Sequence, residues 1–490
     1  MNTATNQPDR FDPHRWGLPP EATADLADRL RRTWARFRAC FKTKTHDGSA
    51  YAWVYLQGLL LLTLKRNIVN IARRVLGLED DGQDLQQFIS DSPWSAQAVF
   101  DQIQQELQQR SELSGGMLTL DESGDACAGD QKAGATRQYL GREGKVELGQ
   151  VGVALGYYQT GTWAMVDAEL YLPEVWFDQE HARLRKRWYI PATRTFATKP
   201  ALGLHLIRHA QQNGLPFTVI GCDSLYGRDG QFRADLAADN LVYMADIPVN
   251  TQVYLTQPVV GVPETPADKP GRPFTQARVL NAATAVEVRT LVGQPEFALH
   301  PVAIRQTERG LLTYNCAARR VWTRTPAHAV CEEWLFLRRE TDGTFSFSLS
   351  NAPASTPLAQ LALWRCQRYF AERTYQDAKS EGGWAELVAR KYRAWLHHTA
   401  LDALALWFIA ETKLDWAQAH PRDLELRHDL EVEVLPALSM ANLRELLRAV
   451  MPLAQLSPAE ATRLVIQHLV NRAQSTRSRL KAQRRNRGPT

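Results

Sequence analysis

Apolar and polar positions follow two different periods along this chain, and the change comes at residue 117. Before it, residues 21–112 carry helical spacing. The run "YAWVYLQGLLLLTL" (51–64) is apolar on all sides and stops against Lys65-Arg66. Fourteen residues are short for a membrane span, so it reads as a buried helix. "KRNIVNIARRVLG" places apolar residues at 68, 71, 75 and 76, with Gly77 as a stop. Ser92-Pro93 reads as a helix start, with Ser as cap and Pro in the first turn.

From 117 the period becomes two. "MLTLDES" is a short strand ending in Asp121. "ELGQVGVALGYY" puts Val151, Val153 and Leu155 on one face, and a Gln-Thr-Gly turn joins it to "TWAMVDAELYL" as a hairpin. A helix over 198–213, the strand "PFTVIGCD", a helix over 228–239 and the strand "LVYMADIP" follow. Three strands and then α-β-α-β predict an α/β protein with a mixed sheet and helices on its faces. Prolines crowd 258–273 and short β-prone pieces follow, including "LLTYNCAARRVWTR" and "TFSFSLS", so 249–352 reads as a β-rich insertion. From 355 the pattern is helical again, through "RYFAERTYQDAKSE" and "RAWLHHTALDALALWFIAETKL". Ser457-Pro458-Ala459-Glu460 is a capping box. The expected divisions are a flexible arm (1–20), a helical unit (21–112), a first core part (113–248), the insertion (249–352), a last core part (353–415) and a helical C-terminal region (416–490).

Composition narrows the class. A chain of 490 residues, 44% apolar and 23% charged, suits a soluble globular protein of two or three domains. The six cysteines are scattered with no C-x-x-C pair, which suits a reducing cytosol and neither a zinc site nor a disulfide framework. The net charge of +5 is modest, but residues 29–44 and the last twenty residues each hold seven Lys/Arg and no acid. Such blocks suit a polyanion, most simply nucleic acid; each also reads as a solvated face or a solubilising tail.

Asp121 and Asp223 both close strands, where ligands of α/β sheets gather. Two carboxylates there repel unless a cation neutralises them, and a hard divalent ion with oxygen ligands answers that need. Glu372 is the candidate third ligand, with Arg368 at i−4 and Lys379 at i+7 on one helical face. Each residue has a plainer reading: Asp121 as a turn aspartate among Glu122, Ser123 and Asp125, Asp223 as a helix cap, Glu372 as an i,i+4 partner on a solvated helix. The neighbours His397-His398 point about 100° apart on a helix, so a shared ion is not expected.

Four stretches taken together resemble the DDE transposases of bacterial insertion sequences, in the cut-and-paste group with a Tyr-Arg-Glu-Lys signature. They are "LDESGDACAGDQKAGATRQYLGREGKVELGQVGVALGYY" from Leu120, "DAELYLPEVW" from Asp167, "DSLYGRDGQFRADL" from Asp223 and "RYFAERTYQDAKSEGGW" from Arg368. The resemblance covers residues 50–412. It implies an RNase H-like catalytic core with a β-rich insertion, a helical N-terminal DNA-binding domain and a basic helical C-terminus. It implies Asp121, Asp223 and Glu372 as catalytic ligands of two Mg²⁺ or Mn²⁺ ions, with Arg368 and Lys379 gripping phosphates. Tyr226 is the aromatic expected three residues after the second aspartate. The signature tyrosine falls on Arg365, beside Trp364, and Leu225 stands where glycine is common. Trp322, flanked by arginines, is the candidate for stacking a flipped base; it also reads as a core tryptophan, and Trp334 competes. The implied partners are double-stranded DNA (terminal inverted repeats and target) and a second protomer on that DNA, in the bacterial cytoplasm at the nucleoid and with no membrane. The rival classes are a transposase-derived DNA-binding protein without chemistry, a nuclease without strand transfer, and a glycan hydrolase, which would not need the basic blocks.

Overall fold

The computed structural model describes residues 9–486, apart from 64, 142, 265–273 and 455. Five helices come first: α1 (Pro20–Phe37), α2 (Ser49–Leu61), α3 (Ile68–Val75), α4 (Gln83–Ser90) and α5 (Ala96–Gln108). Helix α5 starts three residues later than Ser92-Pro93 suggests. Ser95 is the cap, its hydroxyl accepting from the Ala98 N–H at 3.2 Å. Trp94 is buried just ahead of that cap and stacked on His397, with ring centroids 3.7 Å apart.

A mixed sheet follows, with β1 (Gly116–Ala126), β2 (Thr136–Leu140), β3 (Lys145–Gln159) and β4 (Thr162–Leu170). Thr160 and Gly161, at φ 47° and 79°, make the β3–β4 turn with both central residues left-handed, the form that suits strand twist. Next come α6 (Ala182–Arg187), α7 (Lys199–Gln212), β5 (Phe217–Cys222), α8 (Ser224–Gly227), α9 (Gly230–Ala238) and β6 (Tyr243–Ile247). Strand β1 pairs antiparallel with β3 and parallel with β5, and β5 pairs parallel with β6, giving the order β4-β3-β1-β5-β6.

The insertion adds β7 (Gln252–Tyr254), β8 (Val260–Gly261), β9 (Arg278–Val279), β10 (Ala285–Glu287), β11 (His300–Thr307), β12 (Gly310–Arg324), β13 (Val330–Arg339) and β14 (Phe345–Ser350). It is stitched to the first sheet, because β14 pairs antiparallel with β6. The long helix expected after 355 is broken: α10 (Leu358–Gln367) and α11 (Tyr369–Asp377) meet at Arg368, and a π-turn spans Ala378–Gly382. Then come α12 (Tyr392–Ala419), α13 (Leu426–Asp429), α14 (Met440–Val450) and α15 (Pro458–Asn486). The Ser457–Glu460 capping box opens α15 with both reciprocal bonds.

Helix α12 organises the core. It is buried on every side from His397 to Thr412 and packs against α2, α4, α5, α14 and β4. One apolar cluster therefore runs from Ala22 to Leu447, and the helices of 20–108 share it with the sheet instead of closing a core of their own. An all-apolar helix such as α2 needs cover on every side, and α12 supplies one of those sides. His397 and His398 belong to this packing. The His397 ring nitrogens lie 2.9 Å from the Ile89 and Trp94 carbonyls, and His398 meets the Tyr55 hydroxyl at 2.8 Å. Burial pushes both imidazoles down to about 4.

Residues 1–8 of the expected arm lie outside the described residues. The rest is not loose: Arg15 pairs with Asp423 at 2.6 Å and Asp429 at 2.8 Å. Among the described residues no helix is long and apolar enough to cross a membrane.

Candidate active site

Register builds the site. Leu120 on β1 pairs with Cys222 on β5, which pairs with Ala245 on β6. The next residues along these three parallel strands are Asp121, Asp223 and Asp246. Neighbouring strands lie about 4.8 Å apart, so three carboxylates arrive side by side at one level. Asp121 is not at a strand end in the simple sense, since β1 continues to Ala126 against β3. It sits where the parallel pairing stops.

Asp223 caps a helix and also faces a cleft. One oxygen caps α8, accepting from the Leu225 N–H at 2.9 Å, and the residue lines the cleft as well. That cleft, of about 380 Å³, is lined by Asp121, Asp223, Asp246, Arg368 and Glu372, with Val249, Phe345 and Phe347 on the insertion side. Burial pushes the Asp121 carboxyl up to about 7, and the neighbouring Asp223 adds to the rise. Asp223 is raised too, by burial first, while backbone N–H groups and Arg368 pull it back. Glu122, on the opposite face, is raised by burial although Lys199 sits 2.9 Å away.

Glu372 stands apart, its side chain 60% exposed and 4.0 Å from Arg368. Among the described residues no three His, Cys, Asp or Glu side chains converge closely enough to enclose an ion as they stand. Two adjacent acids raised by their surroundings, with all-oxygen donors, nevertheless suit a hard divalent cation. Glu372 lines the same cleft.

The cations differ from expectation. Arg368 is not a free phosphate grip: it is buried and lies 3.0 Å from Asp246. Arg365 lies 2.6 Å from the other oxygen of Asp246, whose carboxylate also accepts from the Ser348 hydroxyl at 2.7 Å. Asp246 is thus neutralised by two arginines, and Arg368 extends its charge toward Asp121 and Asp223. Sequence reasoning passed over Asp246, although "LVYMADIP" closes on an acid just as the two earlier strands do. Lys379 lies in the π-turn, 3.0 Å from Asp125, and is absent from the cleft lining.

One further expectation is corrected. Tyr226 is fully buried in the main core against Phe232, so it cannot face DNA. Trp322 is half-buried on β12, in register with Glu332 and Tyr254. The position on β12 level with the cleft residue Phe347 is Ala317, reached through Leu337. Trp322 is five residues farther along, about 17 Å at strand rise.

The basic blocks also separate. In the 29–44 block, Arg29, Arg31, Arg32, Arg36, Arg38 and Lys42 each lie within 4.0 Å of a carboxylate. Arg36 joins Glu106 and Glu411, so this block largely serves internal pairing. In the last block, Arg472, Arg477, Arg479 and Lys481 stand exposed on α15; residues 487–490 lie outside the described residues.

A family model described as DDE superfamily endonuclease matches residues 36–311, more than half of the chain and including Asp121 and Asp223. Glu372 lies beyond the matched range, so its assignment rests on the cleft. The chain is also 30% identical over 207 residues to a probable transposase for insertion sequence element IS701 from Microchaete diplosiphon. The matched region is 41% of this chain, and the chain spans about half the length of that relative.

Proposed function

The chain belongs to the DDE superfamily endonucleases, and from that premise we propose that it is an insertion-sequence transposase. It cuts DNA at the ends of a mobile element and joins those ends to a target by hydrolysis and transesterification of phosphodiesters. The observation that carries this reading is the register that sets Asp121 beside Asp223, with Glu372 on the same cleft. The strand order β4-β3-β1-β5-β6, with β3 and β4 antiparallel and β1, β5 and β6 parallel, supports an RNase H-like core. The relative's printed description supports transposition as the task.

Asp121 and Asp223 would hold the first divalent ion, Mg²⁺ or Mn²⁺, and Glu372 would swing in to hold a second. Such ions polarise a scissile phosphate and acidify an attacking water or 3′-hydroxyl. The protein's own part is mainly positioning and charge. Arg368, fixed by Asp246, keeps positive potential behind the carboxylates, so that an incoming phosphate does not meet bare negative charge. Phe345 and Val249 add apolar surface to the cleft lining. No nucleophilic side chain is required. Two element ends cut in one complex call for two protomers.

The test is cleavage of supercoiled DNA carrying the element's ends, by wild type and Asp223→Ala, with and without Mg²⁺. Metal-dependent cuts at the ends, lost in a variant that still binds DNA, are expected. Cutting that survives the substitution would move the chemistry elsewhere, and binding without cutting in both proteins would leave only a DNA-binding protein.

A further inference from the structure

One basic segment less paired than the 29–44 block is 182–199, "ARLRKRWYIPATRTFATK", with six Lys/Arg and no acid, of which Arg194 meets Glu169 at 3.6 Å and Lys199 meets Glu122 at 2.9 Å. It forms α6 and the loop leading into α7. Beside it lies "VARKYR" (388–393), with three more bases and no acid. The fold joins the two: the Tyr392 N–H donates to the Trp188 carbonyl at 3.1 Å. Arg183, Lys186, Arg187 and Arg390 are exposed, and among the described residues none has a carboxylate within 4.0 Å. Tyr189 stands at the junction, 44% exposed and held left-handed at φ 58°. Lys391 and Arg393 each lie 4.9 Å from its ring.

The strip is tied to β1, the strand that carries Asp121, from the face opposite the cleft. Lys199 bonds Glu122, the residue after Asp121. The Arg390 carbonyl accepts from the Ala133 N–H at 2.8 Å, in the loop that leaves β1. Lys199 and Arg390 thus anchor the strip to β1 and to the loop that follows it.

Resting on the DNA-cutting reading above, we propose that this strip carries the duplex that flanks the scissile phosphate. Unpaired exposed cations with a tyrosine hydroxyl among them have the chemistry of backbone contacts, which position a duplex without reading its sequence. Cations already neutralised by protein carboxylates release few counterions on binding, so the 29–44 block contributes little.

The test uses the full chain and a fluorescent mixed-sequence DNA duplex, with affinity measured by anisotropy across a salt series. Each phosphate contact contributes about 0.9 to the slope of log K against log salt. Replacing Arg183, Lys186, Arg187 and Arg390 by alanine is expected to lower that slope by about 3 to 4. Arg183→Glu/Lys186→Glu is expected to weaken binding in the same salt-dependent way, and Arg31→Ala/Arg32→Ala to keep the wild-type slope. All of these side chains are exposed, and matching thermal unfolding curves check that the fold is kept. If wild type binds and cuts while the fourfold variant keeps the full slope, the strip is not the duplex path. If wild type shows neither salt-dependent binding nor metal-dependent cutting, the DNA-cutting reading itself falls.

Discussion

Replacing Asp121 by asparagine should stabilise the metal-free protein while abolishing its chemistry. The Asp121 carboxyl rises from 3.8 to about 7, through burial and then Asp223. The folded state therefore holds a proton that the unfolded chain has released, and stability falls as pH climbs from about 4 to about 7. Three pH units at 1.36 kcal/mol each set an upper limit near 4 kcal/mol. Water entering the cleft screens this, so about 2 kcal/mol is the working figure. Asparagine keeps the acceptor for the Glu122 N–H, 2.7 Å away, and carries no charge. Urea unfolding in EDTA at about pH 5 and about pH 8 measures the effect. Asp121→Asn should exceed wild type by about 2 kcal/mol at the higher pH and by less at the lower. Saturating Mg²⁺ should then close the gap, since an ion at a hundred times its Kd adds about 2.7 kcal/mol to the wild type alone. An asparagine variant less stable than wild type at high pH, or a gap unchanged by pH, would refute the electrostatic account.

Other substitutions test the surroundings. Asp246→Ala leaves two buried guanidiniums without their acid and should cost about 3 to 5 kcal/mol in urea unfolding. A cost under about 1 kcal/mol would mean that water replaces the carboxylate. Gly382→Ala drives a Cβ into Oδ1 of buried Asp402, so it should lower the unfolding midpoint markedly, and adding Asp402→Ala should restore part of the loss. Trp322→Ala should bind and cut element ends as wild type does; a loss of about 1 to 3 kcal/mol in binding would return a base to that ring.

What could be read from residues alone depended on how local the cause was. The hairpin, the strand–Asp–turn at 223 and the capping box at 457–460 are set by neighbours in sequence, and each was legible. Asp223 was ambiguous between cap and ligand because it caps α8 and lines the cleft at once. Charge was a poorer guide, since the worth of a cation depends on partners far along the chain. Arg36 meets Glu411, and Arg368 meets Asp246. Neither pairing leaves a mark in a local window, so a cation-rich block looked free and a buried arginine looked like a phosphate clamp. Asp246 escaped because its role appears only once three parallel strands are in register. Tyr226 was misjudged for a related reason: an aromatic near a cleft acid looks alike whether it faces solvent or core.

The late position of α12 has a consequence for synthesis. The helices of 20–108 bury their apolar faces against a segment that leaves the ribosome some 280 residues after them. At about 5 to 20 residues per second, this nascent N-terminal segment waits on the order of 15 to 60 s without its partner. A chain released before Tyr392 would therefore present those helices to chaperones and proteases rather than to DNA, so early-terminated products of this gene should not persist as folded competitors of the full-length protein.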